Sequence, residues 1–262
     1  MTSVTVGGLA GADAPRARPV VHWSDRLVQA LLLGMCALLV LFLLAPLFMI
    51  LVKSVQDKDG AFVGLQQFNE YFQSPALRQS ILHTISVAFA VTAITIPLAF
   101  TFAYALTRSC MPLKRTFRVI ALTPILAPSL LAAISFIQWF GTQGLLKALL
   151  GGAKIYGPIG IILSSIYAVF PHALMIILTA LLLADGRLYE AAESLGTPTL
   201  RRFFTITLPG AKYGLISAAM VVFSYTISDF GVPKVIGGNF NVLALDIFKQ
   251  VIGQQNFNKG AV

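Results

Sequence analysis

The side chains that could do chemistry in this chain are few and scattered. The three histidines, His22, His83 and His172, fall in separate segments, and none belongs to an H-E-x-x-H pair. No two carboxylates share an apolar run, so neither metal-assisted hydrolysis nor paired acid–base work has a residue set. No G-x-x-x-x-G-K-[ST] loop is present, so the chain is not itself a nucleotide hydrolase. Cys36 and Cys110 give no disulfide or metal spacing and read as small apolar filler. No catalytic residue, metal or cofactor is expected. Four residues stand out instead, in or beside apolar runs: His172 after Pro171, Tyr225 and Asp229 in the run 224–229, and Lys234. Ionisable groups in such places mark transport pathways by default. Asp229 fits a hydrated gate, a salt bridge to Lys234, or a substrate contact. Lys234 fits an anionic oxygen or a lipid headgroup, and His172 a backbone carbonyl.

The elements that must carry these residues are membrane spans. Of 262 residues 57% are hydrophobic and 11% charged, with mean hydropathy +0.82, where a soluble domain has about 25% charge. Five runs approach the roughly 20 apolar residues of a crossing: 27–52, 81–106, 119–140, 159–184 and, less apolar, 213–230. The first exceeds a signal-peptide core and lacks a cleavage site, so it reads as a retained span. Residues 1–26, rich in Gly, Ala, Pro and Arg, read as a disordered tail, 53–80 as an external segment with short surface helices, and 81–262 as the core. "LLKALLGG" and "NVLALDIFKQVIGQ" read as amphipathic surface helices. Pro97, Pro124, Pro128 and Pro171 predict bent helices, around a pathway or as plain kinks.

Charge sets the orientation. The formal net charge of +9 is spread over span-flanking loops, so lipid rather than nucleic acid is the expected partner. The tail and the loops 107–118 and 185–212 carry 11 Lys and Arg against 8 on the other side. Arg108, Lys114, Arg115 and Arg118 crowd one short loop, which places that side in the cytoplasm together with the N-terminus.

The loop 185–212 is the polar island of the chain. "RLYEAAESL" puts Leu188, Ala191, Ala192 and Leu195 on one stripe. Glu190 and Glu193 are expected in its early turns, favoured by the helix dipole. Gly196 is expected as a left-handed cap, with Thr197 the N-cap and Pro198 the first residue of a second helix. In that second piece Leu200, Phe203, Phe204 and Thr207 share a side, Arg201 and Arg202 turn away, and Pro209 is expected to end it. Two short helices at a sharp turn make a knob suited to a protein partner.

This loop resembles the EAA loop of permease subunits of binding-protein-dependent ABC importers. Glu190-Ala191-Ala192, Gly196 and Ile206-Thr207-Leu208-Pro209 match that motif at its spacing. The resemblance implies an all-α polytopic membrane protein of the type I ABC importer permease fold, in a bacterial inner membrane. It implies that Glu190, Ala191, Ala192, Gly196, Ile206, Leu208 and Pro209 form the coupling contact with a dimeric cytoplasmic ATP-binding subunit. It further implies a periplasmic substrate-binding protein and a second permease half, homologous, identical or fused. The family core continues one span further, so a sixth span is expected after the C-terminus. The segment 228–257 looks most like permeases for 2-aminoethylphosphonate, with ferric-iron permeases next. The rival from another class is a gradient-driven carrier or channel, which has no need of such a loop and shows repeated halves.

Overall fold

The computed structural model describes residues 22–57, 60–151 and 154–262, so most of the tail proposed for 1–26 lies outside the described residues. The regular structure among the described residues is helical, apart from one isolated bridge between Gln56 and Phe62. The apolar run at 27–52 becomes α1, Trp23–Ser54. The described residues up to Val52 form a unit of their own, and the Leu and Phe side chains of α1 are exposed, as suits a helix whose solvent is lipid.

The second unit begins with the short amphipathic α2, Gln66–Gln73, and the long α3, Pro75–Arg108, with Pro75 in its first turn where no intrahelical N–H is needed. The run 119–140 is not one straight span. It is α4, Lys114–Leu122, a tight turn at Thr123–Leu126, and α5, Ser129–Phe140, bent by 105°. Pro124 and Pro128 explain the break, since each removes a donor and disfavours helix in the residue before it. Next come α6, Pro158–Leu183; α7, Arg187–Ser194; α8, Thr199–Arg202; and α9, Leu208–Ser228. The chain continues as α10, Gly231–Ile236; α11, Leu243–Phe248; and α12, Phe257–Gly260. Four helices are long and apolar enough to cross a bilayer, and the bent α4–α5 pair makes a fifth if counted as one span. "LLKALLGG" yields only a short tight turn, Lys147–Leu150.

The core is the mutual packing of α3, α6 and α9. Small residues line the crossings: Ala99, Ala103, Ala173, Ala211 and Ala218 are all fully buried. Within a membrane there is little hydrophobic drive between helices, so close backbone approach is what holds them. Gly214 marks a close approach of α9 to α6, since a β-carbon there would lie 2.3 Å from Ala180 Cβ. Leu174, Ile177, Val91 and Val222 fill the space between the alanines.

Candidate functional site

The polar loop hangs between α6 and α9, and its geometry follows from local chemistry. At its entry the Asp185 carboxylate accepts the Arg187 N–H at 2.9 Å, satisfying a donor that α7 cannot. Glu190 lies in the first turn, where the dipole favours it. Glu193, expected beside it, sits near the other end of this eight-residue helix and faces Arg202 at 3.9 Å instead. Gly196 has φ +63°. The Gly196 and Thr197 N–H groups donate to the Glu193 and Ala192 carbonyls, each at 2.9 Å, which is the Schellman closure.

The second half departs from expectation. Pro198, not Thr197, is the N-cap of α8, with an extended backbone and no side-chain cap bond. Pro209 does not end the helix. The helix runs unbroken from Thr199 to Ser228, because Phe203–Thr207 widen into a π turn in which the Leu208 N–H reaches back to the Phe203 carbonyl. Pro209 can bond no carbonyl behind it, and the wide turn supplies the local adjustment.

Three side chains, Phe203, Arg108 and Tyr189, fasten the loop to the core and to itself. Phe203 meets Phe100 and Tyr104 of α3 edge-to-face, with centroids 5.8 and 5.7 Å apart. The Arg108 guanidinium lies 4.0 Å over the Tyr189 ring and donates to the Leu181 carbonyl at 3.2 Å. Tyr189 Oη donates to the buried Thr207 Oγ1 at 2.8 Å. Neither Arg108 nor Tyr189 was singled out for the loop from sequence. A conserved-looking spacing cannot reveal them, since Arg108 lies on a different helix.

Of the predicted coupling residues, Ala192 turns inward and Ile206 and Leu208 are half-buried, so these form the base of the knob together with the buried Thr207. Glu190, Ala191, Gly196 and Pro209 are exposed, and the Glu190 carboxylate makes no hydrogen bond or ion pair among the described residues. Around them Leu188, Leu195, Leu200 and Phe204 are 55, 81, 72 and 58% exposed. The helical stripes read from sequence are therefore only partly buried: Leu188, Ala191 and Leu195 of the first and Leu200 and Phe204 of the second face outward.

Of the four pathway candidates only His172 and Tyr225 are brought together, and Asp229 and Lys234 each have other partners. The His172 ring stands 5.3 Å from that of Tyr225, and its Nδ1 is buried without the expected carbonyl partner. Asp229 Oδ1 accepts from Ser129 Oγ at 2.9 Å and from the Gly231 N–H at 3.0 Å, clamping α5, α9 and α10 together. Lys234 does not pair with it; the Lys234 ammonium lies 4.2 Å over the Phe248 ring and 5.7 Å over that of Phe230. The space beside Asp229 is about 10 Å³, barely one water.

Residues 95–257 match the family described as binding-protein-dependent transport system inner membrane component. Over 224 residues the chain is 24% identical to the spermidine/putrescine transport system permease protein PotB of Haemophilus influenzae, covering 80% of this chain and 78% of that one. Over 237 residues it is 26% identical to the putative 2-aminoethylphosphonate transport system permease protein PhnU of Salmonella typhi, covering 87% and 81%. Over 257 residues it is 26% identical to the putative ferric transport system permease protein FbpB 1 of Haemophilus influenzae, covering 95% of this chain but 40% of that protein. A chain from the crystal structure of a bacterial ABC transporter that imports the acidic polysaccharide alginate superposes with TM-score 0.72 at 18% identity. That match covers 91% of this chain and 88% of the other, and it is a likeness of fold.

Proposed function

The chain belongs to the family of binding-protein-dependent transport system inner membrane components, and on that footing we propose how this permease subunit couples to its partners. Members of this family are membrane permeases and not themselves catalysts. In our reading the α7–α8 knob docks in a cytoplasmic ATP-binding subunit, with Glu190, Ala191 and Gly196 at the contact and Leu195 and Leu200 inserted beside them. The observation that carries this is the exposed apolar rim on a knob held rigidly from behind, by Arg108 on Tyr189 and by Phe203 among Phe100 and Tyr104. Large apolar side chains on a polar loop favour a protein partner over water. ATP hydrolysis in that partner would move the knob, and α9, continuous with it, would carry the motion into the bundle.

The space beside Asp229 is too small for a solute. In our reading the pathway runs along an outer face, completed by a second permease half, with His172, Tyr225, Asp229 and Lys234 as its candidate residues. A periplasmic binding protein delivers the substrate, as in the alginate transporter solved with its solute-bound periplasmic protein. For the substrate we propose 2-aminoethylphosphonate, supported by the likeness to PhnU over most of both chains.

The test is a gentle detergent pull-down of the tagged chain from its native membrane. Recovery of an ATPase subunit by the parent, and its loss from a fully inserted Gly196→Asp variant, would support the coupling assignment. Partner binding and uptake retained by that variant would overturn it. Recovery of the chain alone, inserted and stable, would favour a gradient-driven carrier.

A further inference from the structure

Between the last turn of α3 and the bend into α5 the chain carries cations that nothing nearby in sequence neutralises. Residues 71–184 contain no Asp or Glu, and α4, with Lys114, Arg115 and Arg118, lies inside that stretch. None of the three makes a side-chain hydrogen bond, ion pair or ring contact among the described residues. Four residues from Lys114 and three from Arg115, Arg118 joins both on one side of the helix. Phe117 and Ile120, three apart, share the other side. Both are exposed, as are Val119 and the preceding Leu113.

The fold sets this helix at the rim of the bundle. α3 is long and apolar enough to span a bilayer, and it ends at Arg108, a short loop before α4. The bend between α4 and α5 is 105°, so the two arms cannot both follow the membrane normal. α5 is the arm packed into the bundle, against α6 and α10, with Ala132 and Ala133 buried. α4 has no buried residue. Water alone would suit its cations and leave Leu113, Phe117, Val119 and Ile120 without an apolar neighbour; hydrocarbon alone would do the reverse. The zone where lipid headgroups meet acyl chains takes both, and helices with one cationic and one apolar side lie in it.

We infer that α4 lies in the membrane surface and holds an anionic phospholipid, with Lys114, Arg115 and Arg118 on its phosphate and Phe117 and Ile120 among its acyl chains. Such a lipid supplies the negative charge that residues 71–184 lack. It brings that charge joined to the apolar chains that the other side of α4 requires, which a soluble anion does not. The site goes beyond the coupling assignment and uses none of the knob residues.

The experiment is native mass spectrometry of the full chain in detergent, titrated with dioleoylphosphatidylglycerol and with dioleoylphosphatidylcholine. The two lipids share their acyl chains and differ in net charge. The first phosphatidylglycerol is expected to bind at least about tenfold tighter, a preference that falls as ammonium acetate is raised. Each Lys or Arg beside an anionic lipid contributes roughly a fivefold factor. A variant carrying Lys114→Gln, Arg115→Gln and Arg118→Gln together should therefore lose the preference. Arg118→Gln alone should weaken it about fivefold and provides the reading if the triple variant fails to insert. Equal binding of the two lipids by the parent, a preference kept in full by both variants, or displacement of the lipid by glycerol 3-phosphate would overturn the site. No ATPase is present in this experiment, so its failure leaves the coupling assignment standing.

Discussion

The guanidinium of Arg108, in the last turn of α3, stacks on the ring of Tyr189, in the first turn of α7. The same Tyr189 donates its hydroxyl to Thr207 just before α9. One aromatic side chain thus joins the loop to the two helices that leave the core at this level. Arg108→Gln removes the cation, and the stack it loses contributes roughly 1–2 kcal/mol where desolvated. The expected result is a variant that still captures the ATPase but takes up substrate about tenfold more slowly, since 1.4 kcal/mol is tenfold in rate. Tyr189→Phe keeps the stack, loses one hydrogen bond of about 1 kcal/mol, and should show a smaller deficit. Uptake assays on matched membrane preparations decide the ranking.

Gly196 separates backbone conformation from space. A β-carbon there would touch nothing within 4 Å, yet φ is +63°. Gly196→Ala should destabilise the loop by about 1–2 kcal/mol, while Gly196→Asn should cost less because Asn tolerates the left-handed region. ATPase capture is expected to fall in the order Gly, Asn, Ala. The reverse order would mean that side-chain contact with the partner, not the turn, sets affinity.

Leu195, 81% exposed, gives the cleanest test of the docking face. Leu195→Asp should leave the melting behaviour of the isolated chain within about 0.5 kcal/mol, as surface changes do, and should abolish ATPase recovery. Undiminished recovery would place the docking face elsewhere.

Gly214 tests the helix crossing. A methyl there meets Ala180 Cβ at 2.3 Å, so Gly214→Ala should destabilise by about 1–3 kcal/mol through overpacking. Adding Ala180→Gly should restore part of that loss, measured as a thermal aggregation midpoint in detergent.

Much of this molecule was legible in the sequence, and the reasons for the misses are local. Apolar runs located α1, α3, α6 and α9, because in lipid a long apolar run has few alternatives to helix. The left-handed Gly196 was legible because a helix that must stop at a glycine has few ways to do so. Pro124 and Pro128 were visible too, but not the 105° bend they permit, which depends on what α5 packs against. Pro209 was misread as a terminator because the π turn before it leaves no mark on residue type. The partners of Asp229 and Tyr189 lie 100 and 18 residues away, beyond the reach of spacing rules. Sequence placed Lys234 near Asp229 along the chain, whereas the aromatic faces of Phe230 and Phe248 claim it in space.

The π turn at Phe203–Thr207 has a rotational consequence. A wide turn holds one residue more than the α-helical pitch requires, and each residue advances a helix by about 100°. The compass bearing of Leu200 relative to the faces of α9 is therefore set by a surplus residue. Deleting Thr205, which is exposed and bonds only within the helix, would leave every docking side chain in place and aim the whole knob a quarter-turn astray.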